Sequence, residues 1–117
     1  MPHNDFWHTL ETLVASCPLT IDRPQGSPHP RYPTFVYPYD YGYLEHTQGG
    51  DGSGIDVWVG SLPEKTVTAV VCTVDPLKRD AEVKILLARI IHQPKKPASI
   101  TASATLYPFS LAHGAAD

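Results

Sequence analysis

The chain has 117 residues, a formal net charge of -3 and 42% hydrophobic residues, a length that carries one modest core and excludes two. The acidic balance, without any run of Lys or Arg, excludes the electrostatic footprint of a nucleic-acid binder. No apolar run approaches the roughly 18 residues that a membrane-spanning helix needs, and no basic, apolar and small-residue leader opens the chain, so the expected location is cytoplasmic.

Taken in chain order, Asn4 to Ser16 reads as a helix. Phe6, Trp7, Leu10, Leu13 and Val14 recur at three- and four-residue spacing, and Asn4 or Asp5 supplies a capping side chain. From Cys17 to Pro38, prolines at 18, 24, 28, 30, 33 and 38 exclude a helix and leave room only for short extended segments. Tyr41 to His46 and Ile55 to Gly60 read as two strands around a glycine-rich turn, Thr47 to Gly54, whose Asp-Gly and Ser-Gly steps suit tight loops. In the second strand Ile55, Val57 and Val59 share one face, while Asp56 and Trp58 share the other. Thr66 to Val74 is β-branched enough for a buried strand, and Glu82 to Ala88 is assigned to another. The residues after His92 are rich in Ala, Ser and Pro and predict a low-complexity tail with at most one weak edge strand. The expected architecture is mainly β (α+β), a small antiparallel barrel or strongly curled sheet behind an N-terminal helix. The expected organisation is one domain over residues 1–92, with residues 93–117 as its tail.

Cys17 and Cys72 are expected as reduced, half-buried thiols, and the six histidines show no metal-ligand spacing. The turn "GGDGSGIDVWVGS" is more pointed, because Asp51 and Asp56 flank it. A helix-loop-helix calcium loop starting at Asp51 would need Glu at its twelfth place, where Leu62 stands. The glycine-rich calcium repeat of β-helices starting at Gly49 would need Asp where Gly54 stands, and would have to recur. A solvated turn and half of a magnesium site remain.

The blocks on either side favour the second. "YPYDYGYLEHT" followed by "DGSGIDVWV" resembles the signature of the soluble (family I) inorganic pyrophosphatases, Y-P-x-N-Y-G-Y-I-x-x-T and then D-G-D-P-x-D-V-x-V. "IDRPQGSPHPRYP" before it and "VCTVDPLKRDAEVK" after it are similar to blocks of short bacterial pyrophosphatase-like proteins, so the resemblance runs from about Phe6 to Leu87. It implies an OB-like β-barrel and magnesium-dependent hydrolysis of pyrophosphate to two phosphates. That chemistry needs hard cations to neutralise a compact polyanion and to acidify water.

By the same resemblance, Asp51 and Asp56 match metal-holding aspartates. A further carboxylate comes from Asp75 and Asp80, or from Glu82 if the alignment is anchored on Lys84; on a strand, Asp80, Glu82 and Lys84 share one face. Tyr41, Lys84 and Arg31 match phosphate contacts, Arg23 is a weaker stand-in for a missing family arginine, and Asp22 matches an outer carboxylate. Without a site, the arginines are surface cations, and Tyr37, Tyr39 and Tyr43 are packing residues.

Two departures matter. Ser53 stands where the family has the aspartate that takes a proton from the attacking water, and Gly54 replaces a proline, which loosens the isolated turn. The C-terminal Tyr-Lys pair of the full-length enzymes is absent from this sequence. The implied function is therefore a magnesium-dependent phosphohydrolase weakened at Ser53, or a metal- and phosphate-binding module without turnover. A barrel stacking single-stranded nucleic acid on Tyr37, Tyr39, Tyr41 and Tyr43 ranks last on charge. The expected partners are pyrophosphate or a related phosphoanhydride, with no nucleic acid, no membrane, and a homo-oligomer as one way for so short a chain to cover its apolar strands.

Overall fold

The computed structural model describes residues 5–49, 52–94 and 101–108. Its elements are α1 (Phe6–Ser16), β1 (Leu19–Arg23), β2 (Asp40–Leu44), β3 (Ile55–Val59), β4 (Val67–Asp75), β5 (Asp80–Leu87) and β6 (Ala102–Leu106).

The first element begins where Asp5 caps it: the carboxylate accepts from the backbone N–H of Trp7 at 3.0 Å and of His8 at 3.2 Å, satisfying two donors that a helix start leaves open. It stops at Cys17, whose extended backbone is what a residue before proline prefers. Trp7, Leu10 and Val14 pack on the sheet, whereas Phe6, expected in the same stripe, is 52% exposed and meets Trp7 edge-on. Glu11 ties the helix down by accepting from Val67 N at 3.0 Å.

The strands form one mixed sheet in the order β1-β2-β3-β5-β4-β6. Pairing is antiparallel except between β3 and β5, which run parallel. The fold is mainly β with one N-terminal helix, as expected from the sequence; among the described residues the sheet is open, with β1 and β6 as its two edges, and it is mixed where an antiparallel one was expected. The reason lies in neighbour order, which alternation does not encode. The long strand β4 turns back through a hairpin into β5, and β5 inserts between β3 and β4, so it must run alongside β3 in the same direction. The expected strands at β2 to β5 are all present, β1 adds a short strand in the proline-rich segment, and β6 is the weak edge strand.

The two faces of the sheet are occupied differently. On the helix side Leu44, Val57, Val59, Val67, Ile85, Leu87 and Ala88 form a buried aliphatic layer beneath Trp7, Leu10 and Val14. On the far side Phe35, Tyr37, Trp58, Ala69, Val71, Leu86 and Ile90 form a second cluster rich in aromatic rings. Phe35 and Tyr37 arrive there from the loop between β1 and β2, which folds on itself through Gly26 N to Tyr37 O and Tyr37 N to Ser27 O, at 2.8 and 2.9 Å. Register across β1 and β2 depends on Gly42, because a Cβ there would lie 1.8 Å from the Thr20 carbonyl oxygen. Cys17 and Cys72 are free thiols, each half-buried. No helix among the described residues is long and apolar enough to cross a membrane.

Candidate active site

Alternation along β3 sends Val57 and Val59 into the aliphatic layer and leaves Asp56 and Trp58 on the far face. Register then fixes their company. Asp56 stands opposite Tyr43 on β2 and Lys84 on β5, and Trp58 stands opposite Tyr41. Arg23 on β1 pairs with Tyr41, Thr73 on β4 with Glu82, and Asp75 with Asp80. Residues from all of the first five strands thus reach one surface.

At its centre Lys84 Nζ donates to Tyr41 Oη at 3.1 Å and lies 5.3 Å from the centre of the Tyr41 ring. The Tyr41 hydroxyl in turn donates to Asp56. Ammonium, phenol and carboxylate therefore form a continuous hydrogen-bonded chain. Burial drives the Tyr41 pKa far above that of an ordinary tyrosine, and the charge of Asp56, the hydrogen bond to it, Tyr37 and the charge of Glu82 push the same way. The phenol is held in its neutral, donating form. Tyr37 is also raised, chiefly by burial; the Arg23 guanidinium, which hydrogen-bonds it, opposes the rise, and Asp22 and Asp56 add to it.

Beneath this chain lies an aromatic floor. Tyr41 meets Trp58 edge-on at 4.6 Å between ring centres, and Tyr37 leans on both at 5.7 and 5.6 Å. His29 stacks on Tyr37 at 6.0 Å with an interplanar angle of 3°. Trp58 Nε1 is buried with no hydrogen-bond partner among the described residues. Tyr37 and Trp58 are the members the sequence reading left out of the site; the parity that puts Trp58 beside Asp56 was the available signal.

The remaining candidates are placed less centrally. Asp75 holds its own hairpin, accepting from the N–H of Leu77 and of Lys78 at 3.0 Å each, while Asp80 and Glu82 are half-buried along the strand that carries Lys84. Asp22 is exposed, and Arg23 is half-buried. Arg31 is exposed on the loop, its backbone N–H donating to His29 Nδ1, so Arg23 and not Arg31 is the arginine joined to the floor. Ser53 is exposed at the turn; Asp51 lies outside the described residues. Thr47 braces the base of that turn, donating to Leu44 O at 2.7 Å and accepting from Ile55 N at 2.9 Å. Gly54 fills a tight place: a Cβ there would come 2.8 Å from Leu44 O and from the Tyr43 ring. The glycine that loosens an isolated turn is thus the residue that fits this one.

The profile of the family described as Inorganic pyrophosphatase matches residues 19–78. The chain belongs to the inorganic pyrophosphatase family. The match spans just over half of the chain and includes β1 to β4, Tyr41 and Asp56; β5, with Glu82 and Lys84, lies beyond it and joins the same surface through its register with β3 and β4. No curated protein and no solved structure gives a significant match.

The donor set has the right chemistry for a hard divalent cation, since Asp56, Asp80 and Glu82 are all carboxylates on one face. No three His, Cys, Asp or Glu side chains among the described residues converge as a ready cage. Magnesium is typically held by one or two carboxylates together with waters and substrate oxygens, and such an open set suits it.

Proposed function

We propose that this pyrophosphatase-family chain hydrolyses pyrophosphate with the help of magnesium, at a rate reduced by Ser53. The observation that carries the reading is the hydrogen-bonded series Lys84, Tyr41 and Asp56 on the open face. It places a cation, a neutral donor and a carboxylate within one side-chain length of each other, as a bound phosphoanhydride requires. Asp56 and Glu82, with Asp51, would hold magnesium, which supplies charge neutralisation and acidifies water.

The chain's own residues do the rest. Lys84 turns its ammonium from Tyr41 Oη to a phosphate oxygen. Tyr41, unable to ionise near neutral pH, donates to the substrate without adding negative charge. Arg23 lies on the side of Tyr37 and completes a positive flank on β1 opposite Lys84 on β5. Ser53 offers a hydroxyl where a general base belongs, and its proton is too tightly held to exchange that role at neutral pH. The loss of such a base costs about two to four powers of ten in rate.

That same serine favours the second reading, a module that binds metal and phosphate without turnover. Phosphate release from pyrophosphate, measured with and without magnesium for wild type and Ser53→Asp, separates the two. Magnesium-dependent release from wild type supports the hydrolase. Release from Ser53→Asp alone supports the binding module, and no release from either, together with no heat of pyrophosphate binding, overturns both.

A further inference from the structure

The loop between β1 and β2 carries Phe35 and Tyr37 into the aromatic floor, and a histidine holds its tip. Pro28, Pro30 and Pro33 have no backbone N–H, so across residues 28–33 only His29, Arg31 and Tyr32 can donate from the main chain. The His29 amide donates to Phe35 O at 2.8 Å and closes the loop from within. The other two amides go to a single atom: Arg31 N donates to His29 Nδ1 at 3.0 Å and Tyr32 N donates to it at 3.1 Å. The imidazole is packed against three other rings, stacked on Tyr37 at 6.0 Å, tilted against Tyr32 at 5.1 Å and edge-on to Phe35 at 6.3 Å.

Two donors on Nδ1 leave no place for a proton there, so the ring is neutral and carries its hydrogen on Nε2. We propose that His29 is a positioning residue: its neutral ring clasps this loop and holds Tyr37 on the floor beside Tyr41 and Arg23, and protonation of the ring releases it. The bearing on phosphate rests on the reading of this face as a pyrophosphate site, whereas the clasp itself does not.

In an imidazolium both nitrogens are donors. A hydrogen on Nδ1 would point at the Arg31 and Tyr32 amides, and both bonds would be lost. The closed loop therefore holds one proton fewer than the open loop, and acid favours the open one by up to about tenfold per pH unit. Imidazole ordinarily changes charge between about pH 5 and about pH 8, so the clasp is complete above that range and released as pH falls through it. The titratable neighbours of the ring are Tyr32 and Tyr37 of its own loop; acting on Tyr37 are Arg23 and Asp22 of β1, Tyr41 of β2 and Asp56 of β3. A charged ring gains attraction to the face of Tyr37, one contact set against two lost bonds and the Arg23 guanidinium that already hydrogen-bonds the same tyrosine. Release lets the loop carry Tyr37 off Tyr41 and Trp58 and takes from Arg23 its partner.

Amide hydrogen exchange, expressed as protection relative to the unstructured rate, and nitrogen NMR of the imidazole test this on the full chain at about pH 8 and about pH 5.5. Wild type is expected to show an unprotonated Nδ1 and protected Arg31 and Tyr32 amides at the higher pH, with protection falling by about tenfold or more at the lower. His29→Asn offers an acceptor that does not titrate and should protect the two amides equally at both; His29→Phe keeps a ring without the acceptor and should protect them at neither, with circular dichroism checking its fold. Pyrophosphate titrated with magnesium into wild type and His29→Asn gives the coupling: wild-type affinity relative to the variant should fall roughly tenfold at the lower pH, because only the closed fraction binds. Comparing the two proteins cancels the protonation of pyrophosphate itself. A protonated Nδ1 at the higher pH, wild-type protection that does not change with pH, or a loss in His29→Asn equal to that of wild type would overturn the clasp. A clasp that opens at constant relative affinity overturns its role in positioning the site. Absence of pyrophosphate binding at both pH values counts against the proposed function, and the exchange measurements then decide the clasp alone.

Discussion

The two faces of this sheet are made by the same strands and do opposite work. In β3, Val57 and Val59 enter the dry layer under α1, while Asp56 and Trp58 face the other way; in β5, Ile85 and Leu87 enter the dry layer while Lys84 and Glu82 do not. The helix side is aliphatic and holds the fold. The far side places the Lys84, Tyr41 and Asp56 series on an aromatic floor, so the polar groups stand on rigid rings and not on mobile loops. A residue's parity along a strand therefore forecasts whether its loss costs stability or ligand handling.

The largest effect should come from the dry side. Ile85 is fully buried between α1 and the sheet, and Ile85→Ala is expected to cost about 2 to 5 kcal/mol through lost burial and the cavity left behind. Denaturant titration measures it. Pyrophosphate affinity of the fraction that remains folded should be nearly that of wild type; an affinity that collapses while the fold persists would break the separation of faces.

Much of this division was legible in the sequence. Alternation through Ile55 to Val59 gave the two faces of β3, and the spacing of Asp80, Glu82 and Lys84 put them on one side of β5. What alternation does not report is which strands become neighbours. The parallel pairing of β3 and β5 brings Lys84 to Asp56 across a long stretch of chain, and it makes the sheet mixed where an antiparallel one was expected. β1 was hidden for a related reason: five residues between two prolines carry almost no periodic signal, and only pairing with β2 makes them a strand. Arg23 gained its place beside Tyr37 from that pairing, whereas Arg31, favoured by motif spacing, stayed on the outer loop. Gly54 shows the same limit from the other direction, since its tight fit against Leu44 and Tyr43 exists only in the fold.

A smaller effect, confined to binding, is expected from the far side. Lys84→Met keeps the apolar stem and removes the ammonium that bonds Tyr41. If Lys84 supplies a charged hydrogen bond to phosphate, worth about 1.5 to 3 kcal/mol, pyrophosphate affinity should fall roughly tenfold to a hundredfold. Calorimetric titration measures the affinity, and a thermal melt close to wild type checks that the change is local. A large drop in melting temperature with unchanged affinity would assign Lys84 to the fold instead.

The smallest effect at neutral pH, and the one that sharpens the comparison most, is alkaline. Tyr41 and Tyr37 both have raised pKa values, each chiefly through burial, whereas in the unfolded chain tyrosine ionises near about 10. The folded state then holds more protons than the unfolded state above that pH. The stability these phenols contribute is complete below about 10 and is lost as pH climbs toward their folded values. Following phenolate absorbance, two of the six tyrosines should resist ionisation until circular dichroism reports unfolding, and in Tyr41→Phe only one should. The variant should also unfold at a higher pH than wild type, because the strongest driver of alkaline unfolding on the far face has been removed. Six tyrosines ionising smoothly near 10 with the fold intact would mean that the far face is wet to its floor, and the contrast with the helix side would be one of composition alone.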